Sequence, residues 1–320
     1  MEKVTLGTSG LSVTPLCFGT SALGSMPGTY GYEVSEATAR DTLDAIFDGP
    51  VNFLDTSNNY AMGVSETRIG EAIRARGGLP EGFVLATKLD RDMETGRFDA
   101  DRVRRSAEES LTRLGLDRFQ VLHFHDPEHA RDMGEITATG GAIEELMKLK
   151  EEGLVEATGI AMGRTDILAP LVEGFPFDIC LNHNRFTLLN RSSEPIFERA
   201  REKRMAVFNA APYAGGVLAK GAGAFRRITY QEVGDEALAP VRRIEDACTQ
   251  HGVAPGALAL QFSLKADLVD CTVIGVTKPE RVQQTLDWAA ADIPQALWDE
   301  INTIEADYSD PEANRVYSPD

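Results

Sequence analysis

Four residues in the first 125 positions carry side chains that together could move a proton. Asp55 and Tyr60 lie five positions apart in "FLDTSNNYAMGVSETRIG" (residues 53–70). Lys88 stands in "LATKLD" and His125 in "VLHFHDPE". A free phenol has a pKa of about 10, too high to exchange protons readily at neutral pH. A nearby ammonium favours the phenolate and lowers that value, while a carboxylate keeps the ammonium charged and oriented. An imidazole beside the phenol can hydrogen-bond a carbonyl or hydroxyl oxygen and share the proton movement. Such a group suits protonating an alkoxide as hydride arrives, or deprotonating an alcohol as hydride leaves.

Each member also has an ordinary alternative. Asp55 could be a helix cap or a loop acid, and Lys88 a solvated strand end. His123 and His125 share one strand face and could be a metal pair. No third ligand with recognisable spacing accompanies them, so no metal site is expected. His123 reads instead as a packed residue or a group behind the site. There is no G-x-S-x-G motif, and no cysteine sits in an activated setting, which leaves a serine or cysteine nucleophile weakly supported.

The elements that must position these groups follow from an alternation of short apolar runs and amphipathic stretches. Strands are expected at 16–19, 52–55, 83–88, 119–125, 156–161, 179–182, 206–209 and 271–275. Helical periodicity marks 36–48, 66–76, 100–114, 142–152, 165–172, 194–203, 240–251 and 279–288, with Gly115, Gly153 and Gly252 as stop signals. Strands apolar on both faces, each followed by a helix, describe a parallel sheet covered by helices. Eight such units close into an α/β fold, the (β/α)8 TIM barrel. An open doubly wound sheet would want G-x-G-x-x-G after its first strand, and "FGTSALGSMPG" lacks that spacing. The opening "VTLGTSGLSVTPL" reads as a β-hairpin around Gly7 and Gly10 that could cap the barrel's bottom. Extra helices are expected at 257–265 and 294–306, and residues 1–320 as a single domain. In such a barrel the site lies at the carboxyl ends of the strands. Asp55, Lys88 and His125 end strands two, three and four there, with Tyr60 in the loop after strand two.

Composition narrows the function classes. A net charge of −18 argues against nucleic acid, whose phosphates need a basic face. Hydrophobic content of 42% supports a large core. Cys17, Cys180, Cys248 and Cys271 lie far apart, as buried thiols in a reducing cytosol would. The N-terminal "MEKVTLGTSG" lacks a basic segment followed by an apolar one, and no apolar stretch approaches a membrane span, so a soluble cytoplasmic protein is expected.

"LDTSNNYAMGVSETRIGEAI", "ATKLD" and "LHFHDP" together resemble the aldo-keto reductases, NAD(P)-dependent barrel oxidoreductases, over essentially the whole chain. The resemblance implies Tyr60 as general acid/base, His125 as its partner at the substrate oxygen, and Lys88 with Asp55 tuning the phenol. Gly63, Ser65 and Glu66 match the family's glycine and Ser-Glu pair, whereas Ala61 stands where the family usually has Gly. It further implies cofactor contacts from Thr20, Asn182, Gly275, Thr277, Lys278, Arg281 and Gln284. Where members often read G-V-S-N at the end of strand five, this chain reads "GIAMG". That leaves Asn182 as the candidate for the nicotinamide amide. Ala210 replaces the aromatic that stacks on the ring in many members, with Tyr213 in the same loop. Use of both NADP and NAD is implied, with NADP favoured through Lys278.

"NAAPYAGGVLA" and "LHFHDPE" are most similar to the sugar-dehydrogenase branch, the L-fucose and D-threo-aldose 1-dehydrogenases. The substrate implied is an aldose, oxidised at its anomeric hydroxyl to a lactone. A mouth holding Asn58, Asn59 and Tyr213 would pair its hydroxyls. Broad aldehyde or ketone reduction stays open beside it. So do a binding or regulatory subunit that has lost turnover, and a metal-dependent hydrolase or isomerase using His123, His125 and Asp126.

Overall fold

Eight short parallel strands close a barrel in the computed structural model, which describes residues 1–313. A hairpin of β1 (Val4–Thr5) and β2 (Ser12–Val13) comes first. The barrel strands are β3 (Leu16–Gly19), β4 (Phe53–Asp55), β5 (Val84–Leu89), β6 (Phe119–His125), β7 (Val155–Met162), β8 (Ile179–His183) and β9 (Ala206–Ala210). A second small hairpin, β10 (Arg227–Ile228) with β11 (Gln231–Glu232), precedes the last barrel strand, β12 (Cys271–Gly275). β12 lies between β9 and β3, so the expected barrel is the one formed.

Alternation along each strand divides the side chains between the barrel's lumen and the surrounding helices. The inner core contains Cys17, Phe53, Ala86, Val121, Ala157, Ile179, Leu181, Phe208 and Val273, and Leu6, Leu11 and Val13 of the hairpin region join it. The hairpin therefore caps the barrel as expected. Midway up, His123 is fully buried with its ring centroid 6.0 Å from that of Phe208. The neighbouring position on β7 must be glycine, because a Cβ on Gly159 would lie 2.1 Å from His123 Nδ1. His123 is thus the packed barrel residue anticipated.

Outside, helices bury one stripe each on the strands' other faces. Helix Glu36–Phe47 starts at a Ser35 cap that accepts from the Thr38 amide, and it buries Leu43, Ile46 and Phe47. Helix Ala100–Leu114 has the bounds its sequence indicated and ends at the expected Gly115, at φ 71°, while Asp99 caps its start. It approaches helix Val64–Ala75 so closely that a Cβ on Gly70 would sit 1.9 Å from the Arg113 carbonyl oxygen.

Strands 16–19, 119–125 and 271–275 match their expected bounds, and most other elements differ by a residue or two. The expected helix over 294–306 is shorter, Gln295–Ile301. Beyond it the chain crosses the loops after β7 and β8. Buried Arg185 pairs there with Asp310 at 2.7 Å and Glu312 at 3.0 Å, and the Thr165 amide donates to Asp310. No helix of the described residues is long and apolar enough to cross a membrane.

Candidate active site

The carboxyl ends of β4, β5 and β6 bring together the four groups singled out by the sequence. Lys88 is 2% exposed, and its Nζ donates to Asp55 Oδ1 at 2.5 Å, to the Thr56 carbonyl at 2.6 Å and to Tyr60 Oη at 3.3 Å. The Tyr60 ring stands edge-on to His125, centroids 5.9 Å apart at 85°. A sharp turn presents the tyrosine: Ala61, Met62 and Gly63 take φ of 51°, 55° and 90° in succession. Ala61 therefore occupies a left-handed position that glycine fills without strain, which costs about 1 kcal/mol.

The electrostatics differ from the sequence expectation in one respect. Burial pushes the Tyr60 phenol well above its ordinary value, and the Asp55 charge adds to the effect. Lys88 does not lower it as anticipated, because the ammonium already faces Asp55 and a backbone carbonyl while several carboxylates surround the phenol. The resting phenol keeps its proton. Asp55 is itself raised by burial, an effect the Lys88 charge opposes.

His125 has a partner that the sequence did not announce. Its Nδ1 lies 2.7 Å from Asp90 Oδ1, and Asp90 is 1% exposed. Ser57 donates to Asp90 Oδ2 and sits 3.1 Å from the same Nδ1, and the Asn59 amide donates to Oδ2 at 3.0 Å. On the other side of the ring, Nε2 is 3.4 Å from Asp126 Oδ2. Burial lowers the imidazole's proton affinity, but Asp126 and Asp90 outweigh it, and His125 ends above its ordinary value.

Asp55, Tyr60, Lys88 and His125 line a cavity of about 580 Å³ that continues toward helix Pro279–Ala290. Five of the seven expected cofactor residues line it: Gly275, Thr277, Lys278, Arg281 and Gln284. The other two do not. Thr20 is fully buried, its amide and hydroxyl both donating to the Asp55 carbonyl, so it braces the end of β4. Asn182 faces away from the lumen, its amide donating to the Met162 and Gly163 carbonyls, while its neighbours Leu181 and His183 line the cavity. The expected polar mouth is also built differently. Asn58 is tied behind the wall to Ser106, Glu109 and Arg102, and Asn59 does not line the cavity. Tyr213 lines the far part, packed on Trp288. Near the tetrad the polar lining comes from Tyr30, Asp126 and His183, to which the sequence assigned no place beside Tyr60.

A dinucleotide fits this cavity. Lys220, Lys278 and Arg281 line one end, and among the described residues none of them forms a salt bridge. Lys220 is depressed below its ordinary value by burial and by Arg281, a clustering of like charge that an anion would relieve. Gly275, with open space where a Cβ would stand, leaves room for close approach. Among the described residues no three His, Cys, Asp or Glu side chains gather as a metal site.

Comparison with known proteins accords with this geometry. The profile of the Aldo/keto reductase family matches residues 15–306. Pyridoxal 4-dehydrogenase of Microbacterium luteolum is 29% identical, the match covering 93% of this chain and 95% of that protein. D-threo-aldose 1-dehydrogenase of Pseudomonas is also 29% identical, over 92% and 94%. L-galactose dehydrogenase of Arabidopsis thaliana matches at 29% over 89% and 87%. Among solved structures, an aldo-keto reductase from Bacillus halodurans in its holo form superposes with a TM-score of 0.78 at 22% identity, covering 99% of this chain and all of that one.

Proposed function

Because the chain belongs to the aldo/keto reductase family, and is thereby an NAD(P)-dependent oxidoreductase, we propose that it oxidises the anomeric hydroxyl of a cyclic aldose to a lactone. The observation that carries this reading is the polar wall beside Tyr60. Tyr30, Asp126 and His183 flank the reacting position with donors and acceptors. Tyr30 already pairs with Ser21, His183 with Asn184 and Asp126 with His125, yet a polyol offers these half-buried groups further hydrogen bonds that an aromatic or alkyl aldehyde cannot. The sugar dehydrogenases among the relatives support the same class.

Tyr60 Oη and His125 Nε2 hold the substrate oxygen between them, and the proton is exchanged there. Lys88, fixed by Asp55 and the Thr56 carbonyl, orients the phenol by donating to Tyr60 Oη at 3.3 Å. Lys278, Arg281 and Lys220 hold the phosphates of the dinucleotide, and Gly275, Thr277 and Gln284 line its path. Thr20 and Asn182 act from behind the wall, bracing strand ends. When bound, the nicotinamide supplies or accepts the hydride. The concentration of cations at the far end favours NADP, whose extra phosphate they can pair, with NAD also accepted.

A second reading, broad aldehyde or ketone reduction, is favoured by one observation: the buried phenol rests with its proton on, as a proton donor does. Incubation with oxidised NADP or NAD and L-fucose, D-arabinose or L-galactose separates the two. Lactone formation with a rise in reduced-nicotinamide absorbance is the expected result. If no aldose yields a lactone while simple aldehydes are reduced well, the sugar reading is wrong.

A further inference from the structure

We infer that Asp90 is a positioning residue that fixes His125 with Nε2 toward the substrate oxygen and balances the charge when that nitrogen holds the proton. The inference rests on the reading of His125 given under the proposed function, and it adds a residue to which that reading assigns no part.

The geometry carries it. Asp90 follows Lys88 by two positions, one residue beyond the end of β5, and its carboxylate is turned inward beneath the cavity floor. Three donors converge on it: His125 Nδ1, Ser57 Oγ and the Asn59 amide. Three hydrogen bonds from separate segments fix the orientation of this carboxylate. No lysine or arginine pairs with it among the described residues. The nearby guanidinium of Arg102 donates to the Asp90 backbone carbonyl instead. Among the described residues the only ionic partner of this carboxylate is therefore the imidazole. With Nδ1 donating to Asp90, the nitrogen left to meet a substrate is Nε2, and neutral His125 presents a lone pair there. This is the division of labour by which a buried carboxylate sets the tautomer of a catalytic histidine.

The proton balance in the oxidative direction is complete. The anomeric O–H bond breaks and its proton passes to Nε2, giving an imidazolium paired with Asp90. The oxygen's electron pair closes the lactone carbonyl. The anomeric C–H electrons leave as hydride to the oxidised nicotinamide, which is the oxidant. The proton later leaves to solvent, restoring neutral His125. Other titratable groups that face the ring are Asp126 at Nε2, Lys88, Asp55, His123, His129 and His183, with Tyr60 edge-on. Of these Asp126 is the one rival for the proton, because it reaches Nε2 itself.

Nitrogen-15 NMR of histidine-labelled, cofactor-free protein tests the inference, with His125→Gln assigning the signal among the five histidines. The expected result is a neutral form protonated at Nδ1, with a titration midpoint above the ordinary histidine value. Asp90→Asn should lower that midpoint, and Asp126→Asn should leave the Nδ1 tautomer unchanged. In turnover, Asp90→Asn should lower kcat by about 10- to 100-fold with KM little altered. The acid limb of its pH profile should move to lower pH, since the protonated imidazole cannot accept. Ser57→Ala, a gentler change, should shift the midpoint in the same direction by less, and it decides the matter should Asp90→Asn fail to fold. A neutral tautomer protonated at Nε2, or a midpoint insensitive to both substitutions, would overturn the inference. If the NMR results hold but no aldose is oxidised, the substrate reading alone fails.

Discussion

Replacing Lys88 with Met should expose how tightly this site joins stability to chemistry. The ammonium is 2% exposed and Asp55 4%, and among the described residues their contact at 2.5 Å is the sole ion pair of either group. Removing one partner of such a pair typically costs about 3–5 kcal/mol, because the other is left charged and dry. For a chain of this size that is a fall of roughly 5–15 °C in melting temperature. Asp55 is already raised by burial with Lys88 opposing the shift, so without Lys88 it rises further. A folded carboxyl that keeps its proton to higher pH than the unfolded chain loses stability as pH climbs from about 4 through the folded value. The deficit of Lys88→Met should thus be small near pH ~4 and largest at neutral pH. Adding Asp55→Asn should recover part of it, with a coupling of about 1–3 kcal/mol in the double-mutant cycle. Turnover should fall by about two to four orders of magnitude, since the phenol loses the cation that orients it. Thermal melts of the four proteins from acid to neutral pH check this. A deficit independent of pH, or single-mutant losses that simply add, would refute the argument.

Other substitutions reach separate parts of the molecule. Tyr60→Phe should lower turnover by about 10²- to 10⁴-fold while fluorescence titration finds cofactor affinity nearly unchanged; near-normal turnover would remove Tyr60 from its role. Arg281→Ala and Lys278→Ala should each weaken NADP by about tenfold or more and NAD by less, the loss of a charge-assisted phosphate contact. Equal loss for both cofactors would place these cations elsewhere along the dinucleotide. Gly159→Ala should destabilise by about 1–3 kcal/mol through overpacking against His123, measured by urea unfolding; a neutral result would mean the ring has room to move.

The barrel and the tetrad were legible because both follow from phase. Apolar runs fix where strands end, and Asp55, Lys88 and His125 fall at those ends. The same logic explains the misplacements. Asn182 sits one residue out of phase with Leu181 and His183, and a single step along a strand turns a side chain to the other face. Asn58 reads in sequence as a residue of the substrate mouth, but helix Ala100–Leu114 reaches over it with Arg102 and Glu109. Asp90 was invisible for a different reason. In a chain with 50 acidic residues nothing local distinguishes one carboxylate, and only the fold places it under His125. The lowered phenol pKa expected from Lys88 failed because burial and the neighbouring carboxylates cannot be read from spacing.

The closing seam of the barrel, where β12 lies against β3, has a consequence for how the protein comes into being. The proton-handling side chains all belong to β4–β6 and the turn after β4, and a ribosome delivers them in the first half of synthesis. Arg281, Lys278 and Gly275 arrive late, with the strand that shuts the seam. A nascent chain thus carries its full set of acid and base groups before the seat for the electron carrier is complete. Because reactivity needs both halves, it should appear in one step with ring closure, and an assay of staged translation intermediates would see silence until the last strand clears the exit tunnel.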